Sequence, residues 1–143
     1  MSTLVANAEM LKPAFALVAL TFVVFVRMYW LRFAQMLRDR IGVQAVAMSA
    51  DAARLLTDTR ASDNFRNLFE LPVLFYGAVL VAVSANLSTP TALALAWAFV
   101  ALRVLHSLVH CTYNKVMHRF LLYVAGAFVL FALWAYLALH AWQ

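Results

Sequence analysis

Apolar residues run along this chain in four long stretches, at about residues 13–36, 67–87, 91–110 and 120–140, separated by polar connections of unequal length. A bilayer core of about 30 Å needs roughly 20 apolar residues in a helix. Each stretch therefore predicts a transmembrane helix. Pro13 and Pro90 sit where a helix can begin, because a first-turn proline gives up no needed hydrogen bond. Between the second and third stretches, Asn86-Leu87-Ser88-Thr89-Pro90 reads as a short turn with Ser88 or Thr89 as the helix cap. The longest connection, 37–66, holds one glycine and no proline, and its segments 43–48 and 50–56 suggest short helical pieces. The second helix is expected to begin before the membrane, near Ser62 or Asp63.

Composition removes the soluble alternative. The 143 residues are 66% hydrophobic and 12% charged, with a mean hydropathy of +0.86, whereas a soluble domain carries about a quarter charged residues. The fold class expected is an all-α integral membrane four-helix bundle, one domain over 1–143 without internal repeats. The first stretch follows a polar start with Glu9 and Lys12, so it is expected to remain as a span and not to be cleaved as a signal.

The net charge of +5 sits beside the apolar runs and not in a patch or tail, which favours headgroup anchoring and argues against nucleic acid. Arg38, Arg40, Arg54, Arg60 and Arg66 lie in the first connection and Lys115 and Arg119 in the third. The second connection and the C-terminal end carry no lysine or arginine, and the N-terminal end only Lys12. Both termini are therefore expected on the non-cytoplasmic side. The single cysteine, Cys111, excludes an internal disulfide and a multi-cysteine metal site.

Two polar sequences enter these spans. On a helix, Asp63, Arg66, Asn67 and Glu70 share one stripe, and Arg103, His106, His110 and Tyr113 share another. A carboxylate at the depth of Glu70 protonates or finds a cation, and Arg27, Arg32 and Arg103 are the partners at hand. Such a network can bind a polar ligand or serve only to fix packing. His106 and His110, four residues apart, are spaced to share a metal or to hydrogen-bond at an interface. Arg103 on the same face disfavours a dication, and no metal is expected. Arginines from several helices at one depth (Arg27, Arg66, Arg103 and Arg119) outnumber the acids there, which points to an anionic ligand. No nucleophile motif and no glycine-rich phosphate loop occur.

These residues resemble the MAPEG family, the membrane-associated proteins of eicosanoid and glutathione metabolism. The resemblance rests on four spans, a charged first connection, Arg60-Ala61-x-x-Asn64 leading into a helix with Glu70 and Pro72, and Arg103-Val104-x-His106-Ser107 in the third span. It implies a homotrimer in a membrane of bacterial type, with glutathione as co-substrate between subunits near the cytoplasmic face. It further implies thiolate attack on a lipophilic electrophile or peroxide arriving through the bilayer. By the same resemblance Arg27, Arg66, Asn67, Glu70, Arg103, His106, His110 and Tyr113 bind glutathione and Arg119 acts on its thiol. Two registers fit the second helix. Arg60-x-x-x-Asn64 puts Asn67 at the family's glutamate position, and Arg66-Asn67-x-x-Glu70 restores the glutamate and is preferred. His110 stands where a tyrosine is common, with Tyr113 one turn on, and Phe120 stands where some members carry a hydroxyl. A MAPEG-like protein without catalysis, binding lipid or a membrane partner and using the polar network for assembly, is the alternative.

Overall fold

The computed structural model describes residues 3–141 and is helical throughout. The long helices are α1 (Thr3–Arg38), α5 (Pro90–Cys111) and α6 (Val116–His140), while the second span is made of α3 (Arg60–Asn67) and α4 (Leu71–Ser84). A 3-10 turn (Val43–Val46) and a short α2 (Ser49–Leu55) occupy the first connection. Four segments are long and apolar enough to cross a membrane: Leu4–Arg38, Arg60–Ser84, Pro90–Cys111 and Val116–His140.

Three departures from the sequence reading have local causes. First, Pro13 lies inside α1 and does not open it. The added N-terminal turns are tied to the α4–α5 turn: Asn7 donates to Asn86 Oδ1 at 3.3 Å and accepts from Ser88 at 2.6 Å. Tertiary contact thus outweighs the proline's missing N–H. Second, the second span is broken at Leu68–Glu70. Pro72 cannot donate to the carbonyl four residues back and restricts Leu71 before it, so α3 cannot run on into α4. Third, α5 ends at Cys111, so Tyr113 falls beyond the helix.

The turn between α4 and α5 specifies itself. Asn86 takes a left-handed φ of 56°, while Asn86 N–H reaches Val83 O and Leu87 N–H reaches Ala82 O, the paired bonds that close a helix. Thr89, not Ser88, caps α5 by accepting from Ala92 N–H at 3.2 Å.

Alanines let the helices approach closely: Ala78 and Ala82 of α4 and Ala92 and Ala96 of α5 are fully buried. Phe75 and Phe99 stack between them with centroids 4.8 Å apart. Met10, Leu17 and Val24 of α1 and Leu130, Leu133 and Leu137 of α6 complete the core. α5 packs on both α1 and α6, which places its polar stripe in the middle of the bundle.

Candidate functional site

The C-terminal half of α5 carries a row of buried polar side chains. Arg103, His106, Ser107 and His110 are all buried, Arg103 to 1% exposure. Their spacing follows one helical face, which α3 and α6 cover.

Arg103 donates from Nη2 to the main-chain carbonyl of Asn67, at the end of α3. Its guanidinium carbon lies 5.1 Å from the centroid of the Tyr123 ring, a cation–π contact. Its Nε and Nη1 have no hydrogen-bond partner. Tyr123 in turn donates its hydroxyl to Glu70 Oε2 at 3.2 Å. Glu70 occupies the break between α3 and α4, exposed on the outside of the bundle, and forms no ion pair within 4 Å among the described residues.

Arg119, three residues into α6, organises the other end of the row. His106 Nδ1 lies 3.1 Å from Arg119 O. A carbonyl only accepts, so this nitrogen carries the proton and Nε2 presents a lone pair. Arg119 Nη1 donates to His110 Nε2 at 2.9 Å and to Asn114 Oδ1 at 2.9 Å. The His110 proton therefore sits on Nδ1. Arg103 Nε and Nη1, His106 Nε2 and His110 Nδ1 are the four buried side-chain polar atoms without partners among the described residues. All four lie on this one stripe of α5. A cleft of about 160 Å³ opens beside it, lined by Asn67, His106, Val116, Arg119, Phe120 and Tyr123.

Asn67, Glu70, Arg103, His106, His110 and Arg119 are thus brought to one neighbourhood. The other three expected residues are not. Arg27 donates to Cys111 O at 2.8 Å, capping the end of α5. Arg66 is exposed and lines a separate cavity with Arg32 under the first connection. Tyr113 is 61% exposed and pairs with His118 Nδ1 at 3.0 Å, because the chain leaves the helix before it. A single cationic pocket of four arginines does not form within one chain.

Tyr123 was missed in the sequence, although it stands four residues after Arg119 and so on the same face of α6. Asn64 belongs to the register of the second helix that was not preferred. It is fully buried, accepts from Ser107 at 3.2 Å and donates to Cys111 Sγ at 3.5 Å, fastening α3 to α5. His106 and His110 meet edge to face at 5.6 Å, and no group of three or more potential ligands for a metal occurs among the described residues.

At the junction of α2 and α3, Asp58 accepts from Arg60 Nη2 at 2.7 Å. This bond holds the Asp58 carboxyl below the usual carboxylate range, against the opposing effect of partial burial. Arg60 also donates to Thr112 O at 2.9 Å.

Fold and site together define an integral membrane protein with four spans and a buried polar row beside a small cleft. The MAPEG family model matches residues 10–139, and the chain belongs to that family of glutathione-related membrane enzymes. No curated protein and no solved structure gives a significant match.

Proposed function

We propose that this protein is a glutathione-dependent membrane transferase or peroxidase acting on lipophilic electrophiles. The observation that carries this reading is Arg103: a buried guanidinium with two unpartnered nitrogens and no carboxylate bonded to it. Leaving a buried donor unmade costs about 1–3 kcal/mol, and a guanidinium with N–H groups to spare suits a carboxylate. Glutathione, which the family generally uses, has two carboxylates and one ammonium. One carboxylate meets Arg103 and the Asn67 amide. The ammonium meets Glu70, whose charge faces outward beside Tyr123.

Arg119 then lies by the thiol, its orientation set by His110 and Asn114. Its positive charge favours the thiolate. The thiol proton passes to water as the thiolate forms, and the sulfur electron pair then bonds the electrophilic carbon while the carbon–leaving-group bond breaks and its electron pair departs with that group. The exposed Glu70 and the chain's apolar outer faces favour a homotrimer with glutathione between subunits, where Arg27 of α1 contributes from its own position. The placement of lysines and arginines supports both termini on the non-cytoplasmic side. Calorimetric titration of the purified protein in detergent with glutathione tests the reading: saturable binding is expected, and its absence overturns it.

One observation favours a second reading, a non-catalytic MAPEG-like protein that binds lipid or a membrane partner and uses the network for assembly. Arg119 is already engaged by His110 and Asn114, and Phe120 beside it supplies no hydroxyl. Replacing Glu70 with alanine separates the two. Loss of the oligomer supports assembly, and loss of glutathione binding with the oligomer intact supports the site.

A further inference from the structure

The first connection builds a second cavity that shares no residue with the cleft beside Arg103. Gln35, buried on α1, donates to Leu55 O and to Thr57 Oγ1, each at 3.2 Å, and so fixes the connection against α1. Beneath it lies a cavity of about 390 Å³ whose charged lining is Arg32, Asp58, Asp63 and Arg66, with Ser62 and Thr59 between them. This volume is in the range of small-ligand sites. Arg32, Asp63 and Arg66 join no ion pair among the described residues. Asp58 is held by Arg60 through both carboxylate oxygens, which leaves Asp63 as the unpaired acid of the lining.

This polar cavity adjoins an apolar one. A groove of about 170 Å³ lies along α1 under Tyr29, Phe33 and Met36. The two share Arg32, Val46, Ala52 and Leu56 as a common wall. Trp30, 74% exposed, and Tyr29 stand at the same level of α1, which is where aromatic residues mark the boundary between acyl chains and headgroups. A charged chamber and an apolar groove side by side at that boundary match the two parts of an amphiphile.

The lining charges select its headgroup. Two guanidinium forks suit a phosphate. The unpaired Asp63 carboxylate opposes a second negative charge and accepts hydrogen bonds from a cation. We propose that the first connection holds a phospholipid with a zwitterionic, primary-ammonium headgroup. Its phosphate lies on Arg32 and Arg66, its ammonium on Asp63, and an acyl chain along Tyr29, Phe33 and Met36. An anionic glycerol headgroup offers Asp63 hydroxyls but no positive charge, and a choline headgroup has no N–H to donate to it.

Native mass spectrometry of the delipidated full chain tests this with dioleoyl phosphatidylethanolamine, phosphatidylcholine and phosphatidylglycerol. Tighter retention of the ethanolamine lipid by about tenfold is expected, the ratio that corresponds to 1.4 kcal/mol. Asp63→Asn removes the preference over choline, and Arg66→Gln weakens all three lipids. Both residues lie on the helix surface, so the variants are checked for unchanged helicity by circular dichroism. Equal retention of the three lipids, or a preference that survives Asp63→Asn, overturns the proposal. So does equally tight binding of soluble glycerophosphoethanolamine, which lacks the acyl chains. The lipid comparison is read without glutathione present, so its failure and a failure of glutathione binding are distinct outcomes.

Discussion

The Arg103 guanidinium reaches across to the main-chain carbonyl of Asn67, 36 residues earlier, where α3 stops. The last carbonyls of a helix have no intrahelical donor, and α3 stops there because Pro72 lies ahead. The break in the second span thus supplies the acceptor that holds Arg103 in the middle of the bundle. Arg103 remains under-satisfied even so, which makes it a cost to the fold and a resource for a ligand.

Replacing Arg103 with methionine separates those roles. Exchanging buried charge for an apolar side chain of similar length is often neutral or stabilising by about 1–4 kcal/mol. The Arg103→Met protein is therefore expected to melt no lower than the parent in a detergent thermal scan, while saturable glutathione binding is lost. A large fall in melting temperature would instead make Arg103 a structural residue.

Pro72→Ala should let α3 and α4 join, since the missing donor is restored at that position. The helix content then rises in circular dichroism, and carbonyls at the break turn back into the helix. Glutathione affinity is expected to fall, because Arg103 loses the acceptor that positions it and Glu70 turns with the new helix. Unchanged affinity would show that the break is incidental to binding.

Arg119→Gln is expected to reduce kcat more than it raises KM. Loss of its charge raises the bound thiol pKa, and one unit corresponds to about 1.4 kcal/mol. Ultraviolet titration of the thiolate in the complex gives the shift directly. A change confined to KM would place Arg119 in binding only.

Tyr123 carries two contacts that can be taken apart. Tyr123→Phe keeps the ring under Arg103 and removes the hydroxyl bonded to Glu70, for a loss of about 1 kcal/mol. Tyr123→Ala loses both contacts. A double-mutant cycle with Glu70→Gln, read by glutathione titration, should show coupling for the hydroxyl, and additive losses would dissociate the pair.

Acid should loosen the junction of α2 and α3. The folded Asp58 pKa lies below its unfolded value, so its contribution to stability is full above the ordinary carboxylate range. That contribution is lost as the pH falls through the depressed value. The difference in melting temperature between the parent and Asp58→Asn should shrink across that acidic window. A difference independent of pH would remove Asp58 as its source.

The spans were legible because long apolar runs leave few alternatives, and the row Arg103, His106 and His110 was legible because its spacing is that of a helical face. The details that escaped depend on contacts between elements. Nothing near Pro13 says that Asn7 will meet Asn86 and Ser88, yet those bonds extend α1 past the proline. No glycine or proline marks the end of α5, so Tyr113 was carried one turn too far along its stripe. Tyr123 sits in an apolar span and reads as core until Glu70 and Arg103 are seen on either side of it. Arg66 and Arg27 share a sign and an approximate depth with Arg103 but face other neighbours. Charge and depth are written in the sequence, whereas facing is decided by packing.

The two arginines at the end of α5 address its main chain, Arg27 at Cys111 O and Arg60 at Thr112 O. Neither contact depends on which side chains positions 111 and 112 carry. Substitution there can proceed freely as far as these anchors are concerned, while an insertion or deletion displaces both oxygens at once. The two arginine anchors at the end of α5, with His110 one residue before it, are therefore indifferent to spelling and intolerant of a change in length.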